Sequence, residues 1–169
     1  MATYFVKPTG SDFNVGTSAS LAWRTIQKAL SATGASSGDT VYIAPGTYRE
    51  TVTVAGTYSS NVNIIGDRGS TQFNDIASGY IRITGLISDA LNVSTYLGNF
   101  VLNGKSNLTF DSIWFEGVLV LSANTTNVTF RRCQITHASN ATNFGSSIYM
   151  DTTGQLNILF DKCFIQSGI

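Results

Sequence analysis

The sequence predicts an all-β fold: short parallel strands wound into a β-helix and covered at the N-terminal end by one short α-helix. Three observations predict it. From about residue 39 onward, the 169-residue chain shows short apolar runs separated by Gly, Asn, Ser, Thr and Asp, with no second helical period. Three of those runs repeat a single pattern, as stacked repeats do. One stretch before them carries apolar residues at helical spacing. The expected organisation is one domain over 1–169, with strand, loop and capping helix in 1–38 and the windings in 39–169.

The opening "TYFVKPTG" has strand-forming residues that stop at a Pro-Thr-Gly turn. "SDFNVGTSAS" (11–20) reads as a loop in which Asp12 and Asn14 bond their own backbone and Gly16 supplies a positive φ. Its D-x-N-x-G run resembles the start of a calcium loop but lacks the later bidentate Glu, so a structural turn is expected and no metal. Ser20 suits an N-cap for a helix over Leu21–Thr33, ended by Gly34, with Trp23, Ile26 and Leu30 beside Ala22 and Ala29 on its apolar face. "DTVYIAPGTYRETVTVAG" then alternates as strands do. Val41 and Ile43 share one face, Val52 and Val54 share one face, and Pro45-Gly46 forms the corner.

The repeats are "NLTFDSIWF" (107–115), "NVTFRRCQI" (127–135) and "NILFDKCFI" (157–165), which agree in residue type at five of nine positions. "NVNIIGD" (61–67) and "YIRITGL" (80–86) read as weaker copies. "FVLNG" at 100, "GVLVLS" at 117 and "SSIYMD" at 146 precede the three copies, so each winding holds at least two strands. Neighbouring strands lie about 4.8 Å apart, so equivalent residues should stack in files. The expected files are Phe110, Phe130 and Phe160; Phe115, Ile135 and Ile165; and Ile113, Cys133 and Cys163. Asn107, Asn127 and Asn157 should form an amide ladder, since each side chain both donates and accepts. Asp111, Arg131 and Asp161 share one position and are expected to face outward as a ladder of alternating charge.

Composition excludes several functions. Ten acids balance ten bases and charged residues make up 12% of the chain, which does not provide the clustered cations of a nucleic-acid grip. No apolar run has the length of a membrane span, and no export signal follows Met1, so folding in the cytoplasm is expected. Two cysteines make no disulfide framework or zinc site; stacked thiols are expected at Cys133 and Cys163. A Cys133–His137 nucleophilic pair is the alternative to a buried Cys and a rim His. No cofactor motif is present. The far end carries no counterpart of the capping helix, so either further chain or another subunit is expected to cover it.

"YFVKPTGSDFNVGTSAS", "RTIQKAL" and "GDTVYIAPGTYRETV" resemble the N-terminal region of right-handed parallel β-helix proteins of the pectin-lyase-like superfamily. The resemblance covers residues 4–54 well and, through the Asn-x-x-Phe repeats, extends loosely to the end. It implies a right-handed coil. That superfamily holds lyases, hydrolases, epimerases, adhesins and bacteriophage tailspikes, so it does not choose a function. The leading expectation is a structural segment of a virion spike or fibre that contacts host glycans, a homo-oligomer assembled in the host cytoplasm. The tailspike resemblance suggests a trimer. A polysaccharide lyase or hydrolase is the alternative; it needs acids along an outer groove. Glu50, Asp67, Asp75, Asp89, Glu116, Asp151 and Asp161 are available, with Arg68, Arg82 and Lys105 to bind sugar acids. Of these Glu116, Asp151 and Asp161 are the candidates. A non-catalytic glycan-binding module is the third reading. Trp114, set between inward-facing Ile113 and Phe115, should point outward as a stacking platform, with Tyr58, Tyr80 and Tyr96 as further rings.

Overall fold

The structure, a computed structural model, describes residues 1–84, 100–136, 148–150 and 153–166. It is a parallel β-helix of three sheets. Sheet A runs β1 (Thr3–Val6), β2 (Thr40–Ile43), β5 (Val62–Gly66), β8 (Leu108–Asp111), β11 (Thr126–Arg131) and β14 (Leu156–Asp161). Sheet B holds β3 (Gly46–Arg49), β6 (Ile81–Thr84), β9 (Trp114–Glu116), β12 (Gln134–Thr136) and β15 (Phe164–Gln166). Sheet C holds β4 (Val52–Thr53), β7 (Phe100–Val101), β10 (Leu119–Leu121) and β13 (Ile148–Met150). Every ladder is parallel, and the chain visits A, B and C in turn. Parallel connections of this kind take the right-handed sense almost without exception.

The repeats fall in register as their sequences require. Phe130 pairs with both Phe110 and Phe160. Their rings stack at 5.3 and 5.0 Å between centroids and lie within 12° of parallel. Phe115, Ile135 and Ile165 align in sheet B. Phe100 meets Phe110 and Phe115 edge-on, so rings from all three sheets close the core. "NVNIIGD" is a true copy, since Ile64 pairs with Phe110. "YIRITGL" is not: Ile83 pairs with Phe115, which places β6 in sheet B as the second strand of the winding that β5 begins. Alternation alone gives a strand's two faces but not its sheet. Two strands per winding become three because sheet C is built from the short runs ahead of each copy.

The capping helix is shorter than its apolar spacing predicts. It spans Ile26–Ala29 with Thr25 as N-cap, instead of Leu21–Thr33 with Ser20. Trp23 is held in extended backbone: its N–H donates to Phe5 and its carbonyl accepts from Lys7. The Trp23 ring stacks on Tyr4 at 4.8 Å. Gly16, at φ 77°, lies beneath that ring, and a Cβ there would sit 2.4 Å from it. The helix start draws its acceptors from distant residues. Asp12 accepts from the Arg24 and Thr25 N–H groups instead of closing its own turn, and Glu50 takes the Ile26 and Gln27 N–H groups at 2.9 Å each. Burial raises the Glu50 pKa, and the two N–H bonds only partly offset this.

The cap still covers the first winding. Trp23, Ile26 and Leu30 are buried in the common core, and β1 covers the edge of β2. Gln27 exchanges both hydrogen bonds of its side-chain amide with the Thr53 backbone, blunting the first edge of sheet C. In the last described winding the same files are more exposed. Ile165 is 48% exposed, whereas Ile135, one winding earlier, is 0%.

Candidate functional site

Two corners of each of the three windings that β8, β11 and β14 begin turn through left-handed residues. Where the chain enters sheet A from sheet C stand Asn107, just before β8, and Asn127 and Asn157, the second residues of β11 and β14, at φ 60°, 53° and 57°. Asn is one of the few residues that enters this region at low cost. Its amides form the expected ladder: Asn157 donates to Asn127, Asn127 to Asn107, and Asn107 to the Tyr58 carbonyl at 2.7 Å. Between sheets A and B the equivalent residues are Ser112, Arg132 and Lys162, at φ 60°, 52° and 53°. The backbone repeats there too, with Ser112 N–H donating to Arg131 and Arg132 N–H donating to Asp161. Gly66 belongs to the winding before Ser112, and its Cα approaches the Ser112 carbonyl so closely that a Cβ would lie 2.6 Å away.

Beside this second corner the outer face of sheet B gathers rings and guanidinium groups. Arg82 and Trp114 are register partners, and the Arg82 guanidinium sits 4.8 Å from the indole centroid. Tyr80 meets Trp114 edge-on at 6.3 Å, and Arg68 lies 4.5 Å over Tyr80. The indole N–H donates to Thr136 Oγ1 at 2.8 Å, which fixes the ring plane. Arg68 and Tyr80 are neighbours because the segment 67–80 leaves the coil and returns, closed by Gly79 N–H to the Arg68 carbonyl at 2.9 Å. Asp67 caps its start, buried Phe73 packs edge-on against Phe5, and Lys7 pairs with Asp75 at 2.6 Å. That ion pair, led by the Lys7 hydrogen bond, lowers the Asp75 pKa. A shallow cleft open to solvent lies between Arg68, Tyr80, Ser112, Trp114 and Arg132.

Trp114 is half-buried on the outer face, among Tyr80 and Arg82. Glu116 is bonded to Arg82 on the same face, and that bond is the leading cause of the raised Arg82 pKa. Asp161 closes β14 in sheet A, two windings further on, so Glu116 and Asp161 are not brought together. Asp151 lies outside the described residues, as do His137, Asp89 and Tyr96. Tyr58 is no platform: it is buried, and burial pushes its hydroxyl pKa up to about 12. Lys105 reaches Thr57. Burial likewise pushes the Cys133 thiol up to about 12, which removes the thiolate that a nucleophile needs. Cys133 and Cys163 are free thiols that donate to the carbonyls of Phe110 and Phe130.

The expected charge ladder is corrected as well. Asp111 does not stand outward in a surface ladder but is 1% exposed, held by Arg131 and by both sides of the Arg132 fork. Burial raises its pKa; the bonds from Arg132, Arg131 and Ser112 outweigh that, and the net shift is downward. The sequence gives a signal for this in the adjacent Arg131-Arg132 pair, one winding from a carboxylate.

No family model and no curated protein matches the chain. Among solved structures, it is similar to a rhamnogalacturonan lyase, with a TM-score of 0.64 and 14% sequence identity. The likeness covers 96% of this chain and 51% of that one, so this chain spans about half the length of the enzyme. It is a likeness of fold, the parallel β-helix.

Proposed function

We propose that this chain is a β-helix shaft segment of a bacteriophage spike or fibre whose outer face contacts host-surface glycans. The observation that carries this reading is the Tyr80–Trp114–Arg82 group on the outside of sheet B. Flat rings held in place by an arginine and a threonine offer stacking surfaces for sugar rings at little further entropic cost. The shaft reading is supported by windings tied at three levels, by the ring file, the amide ladder and continuous parallel sheets. A homotrimer is the assembly that accompanies this reading. Glycan-array binding by wild type and Trp114→Ala tests the contact: the substitution should abolish captured signal while leaving the circular dichroism unchanged. Electron microscopy and sedimentation of the purified protein test the assembly, and a stable monomer that joins no larger particle would overturn the shaft role.

A second reading, turnover of the bound polysaccharide, has one observation in its favour. Glu116 lies on the same face as the rings, one pleat along β9 from Trp114. Assays for new reducing ends or unsaturated products separate the two readings, and Glu116→Gln should abolish any such activity.

A further inference from the structure

We propose that the corner between sheets A and B is a track for an anionic polysaccharide lying along the coil axis, with Arg68, Arg132 and Lys162 binding its carboxylates. This rests on the glycan-contacting reading and adds the ligand's charge and direction. The first support is positional. Arg68 and Arg132 open onto one cleft with Tyr80 and Trp114, and Lys162 occupies the position of Arg132 on the next winding. Successive windings lie about 4.8 Å apart, so Arg132 and Lys162 stack along the axis, and Arg68, two windings before Arg132, lines the same cleft. A chain of acidic sugars presents its carboxylates in a row.

The second support is conformational. Left-handed backbone is costly for residues other than Gly, Asn and Asp, and this chain meets that need with Asn at the neighbouring corner. Placing Arg132 and Lys162 in the same backbone region accepts a cost that turning the chain does not require. For Arg132 the pair with buried Asp111 is a structural return, although its side chain remains 57% exposed. Among the described residues no such ion pair exists for Lys162, nor for Arg68, which is not in left-handed backbone and stacks on Tyr80. Both are exposed.

The third support is charge. In a chain of zero net charge, this corner carries Arg68, Arg131, Arg132 and Lys162 against Asp67, Asp111 and Asp161; four against three leaves a surplus of one. Arginine's planar fork suits a carboxylate, and its stacking on Tyr80 leaves the N–H edges free to donate. The rings beside the row take the apolar faces of the sugars.

The test is calorimetric binding of the full chain to alginate, neutral dextran and single-stranded DNA, with wild type, Arg68→Gln/Lys162→Gln and Trp114→Ala. Both altered residues of the double variant are exposed, and circular dichroism verifies its fold. Wild type should prefer alginate to dextran. The double variant should lose on the order of tenfold in alginate affinity and show a shallower salt dependence. Unchanged alginate binding by the double variant, or a preference for the DNA, overturns the track. Binding of dextran as tight as that of alginate, abolished by Trp114→Ala, overturns the track alone and leaves the glycan reading standing. Binding of no polysaccharide overturns both.

Discussion

The two left-handed corners solve the same geometric problem with opposite chemistry. Asn107, Asn127 and Asn157 take the turn with the residue best suited to it and bond to one another. Ser112, Arg132 and Lys162 take it at higher cost, and among the described residues Arg132 is the member of this file whose side chain bonds to the winding before, through Asp111. One corner serves the stack; the other spends stability on charge at the surface. A turn's φ therefore does not choose its residue, and a residue poorly suited to its φ marks a place where something besides folding is being served.

The file between the corners sets the scale for any comparison. Phe130 is fully buried with rings above and below it, so Phe130→Ala should destabilise by about 3–5 kcal/mol in urea unfolding. A smaller loss than that from any corner variant would mean that the corners, not the core, hold the windings together. Next is Asp111→Asn, which leaves Arg131 and Arg132 without a counter-charge. Both arginines are about half exposed and can rehydrate, so the expected loss is about 2–3 kcal/mol, short of that for a fully buried pair. Its pH dependence follows from the depressed pKa. The carboxylate's contribution is complete above the ordinary carboxyl pKa of about 4 and is lost as pH falls through the lower folded value. The gap in stability between wild type and Asp111→Asn should close on acidification. A gap that persists at the acidic extreme would show that shape, not charge, holds this corner.

The amide corner should respond to backbone as well as to bonding. Asn127→Ala removes a donor and an acceptor from the middle of the ladder and places a methyl group at φ 53°, for about 2 kcal/mol. Asn127→Gly loses the same bonds without the steric conflict and should cost about 1 kcal/mol. Equal losses from the two variants would mean that the ladder carries the corner and the φ preference carries nothing.

What was legible in the sequence follows the same division. The Phe file, the Asn ladder and the register are written as repetition, because stacked windings force like onto like, and a local pattern therefore reports a long-range contact. The helix is shorter than its spacing predicts because Trp23 lies at helical spacing by coincidence; its backbone is claimed by Phe5 and Lys7, 18 and 16 residues away in sequence. The burial of Asp111 escaped because alternation places it on the outer face, and only the two arginines of the next winding cover it. Of the candidate site, alternation placed Trp114 on the outer strand face. The Arg68–Tyr80 pair was invisible, since the excursion of residues 67–80 brings together two residues twelve apart with no shared periodicity.

The smallest expected effect discriminates most sharply, because its two readouts move in opposite directions. Lys162→Gly removes an exposed side chain from left-handed backbone, which relieves about 1–2 kcal/mol of conformational cost. The greater freedom of glycine in the unfolded chain returns about 0.5–1 kcal/mol of that. The variant should therefore be slightly more stable than wild type, by about 0.5–1 kcal/mol in urea unfolding, while binding alginate more weakly. A residue kept only to turn the chain would show the first change without the second, and one kept for packing would show a loss of stability. A gain in stability together with a loss of binding is expected only where the cost of the lysine is met by what it holds outside the fold.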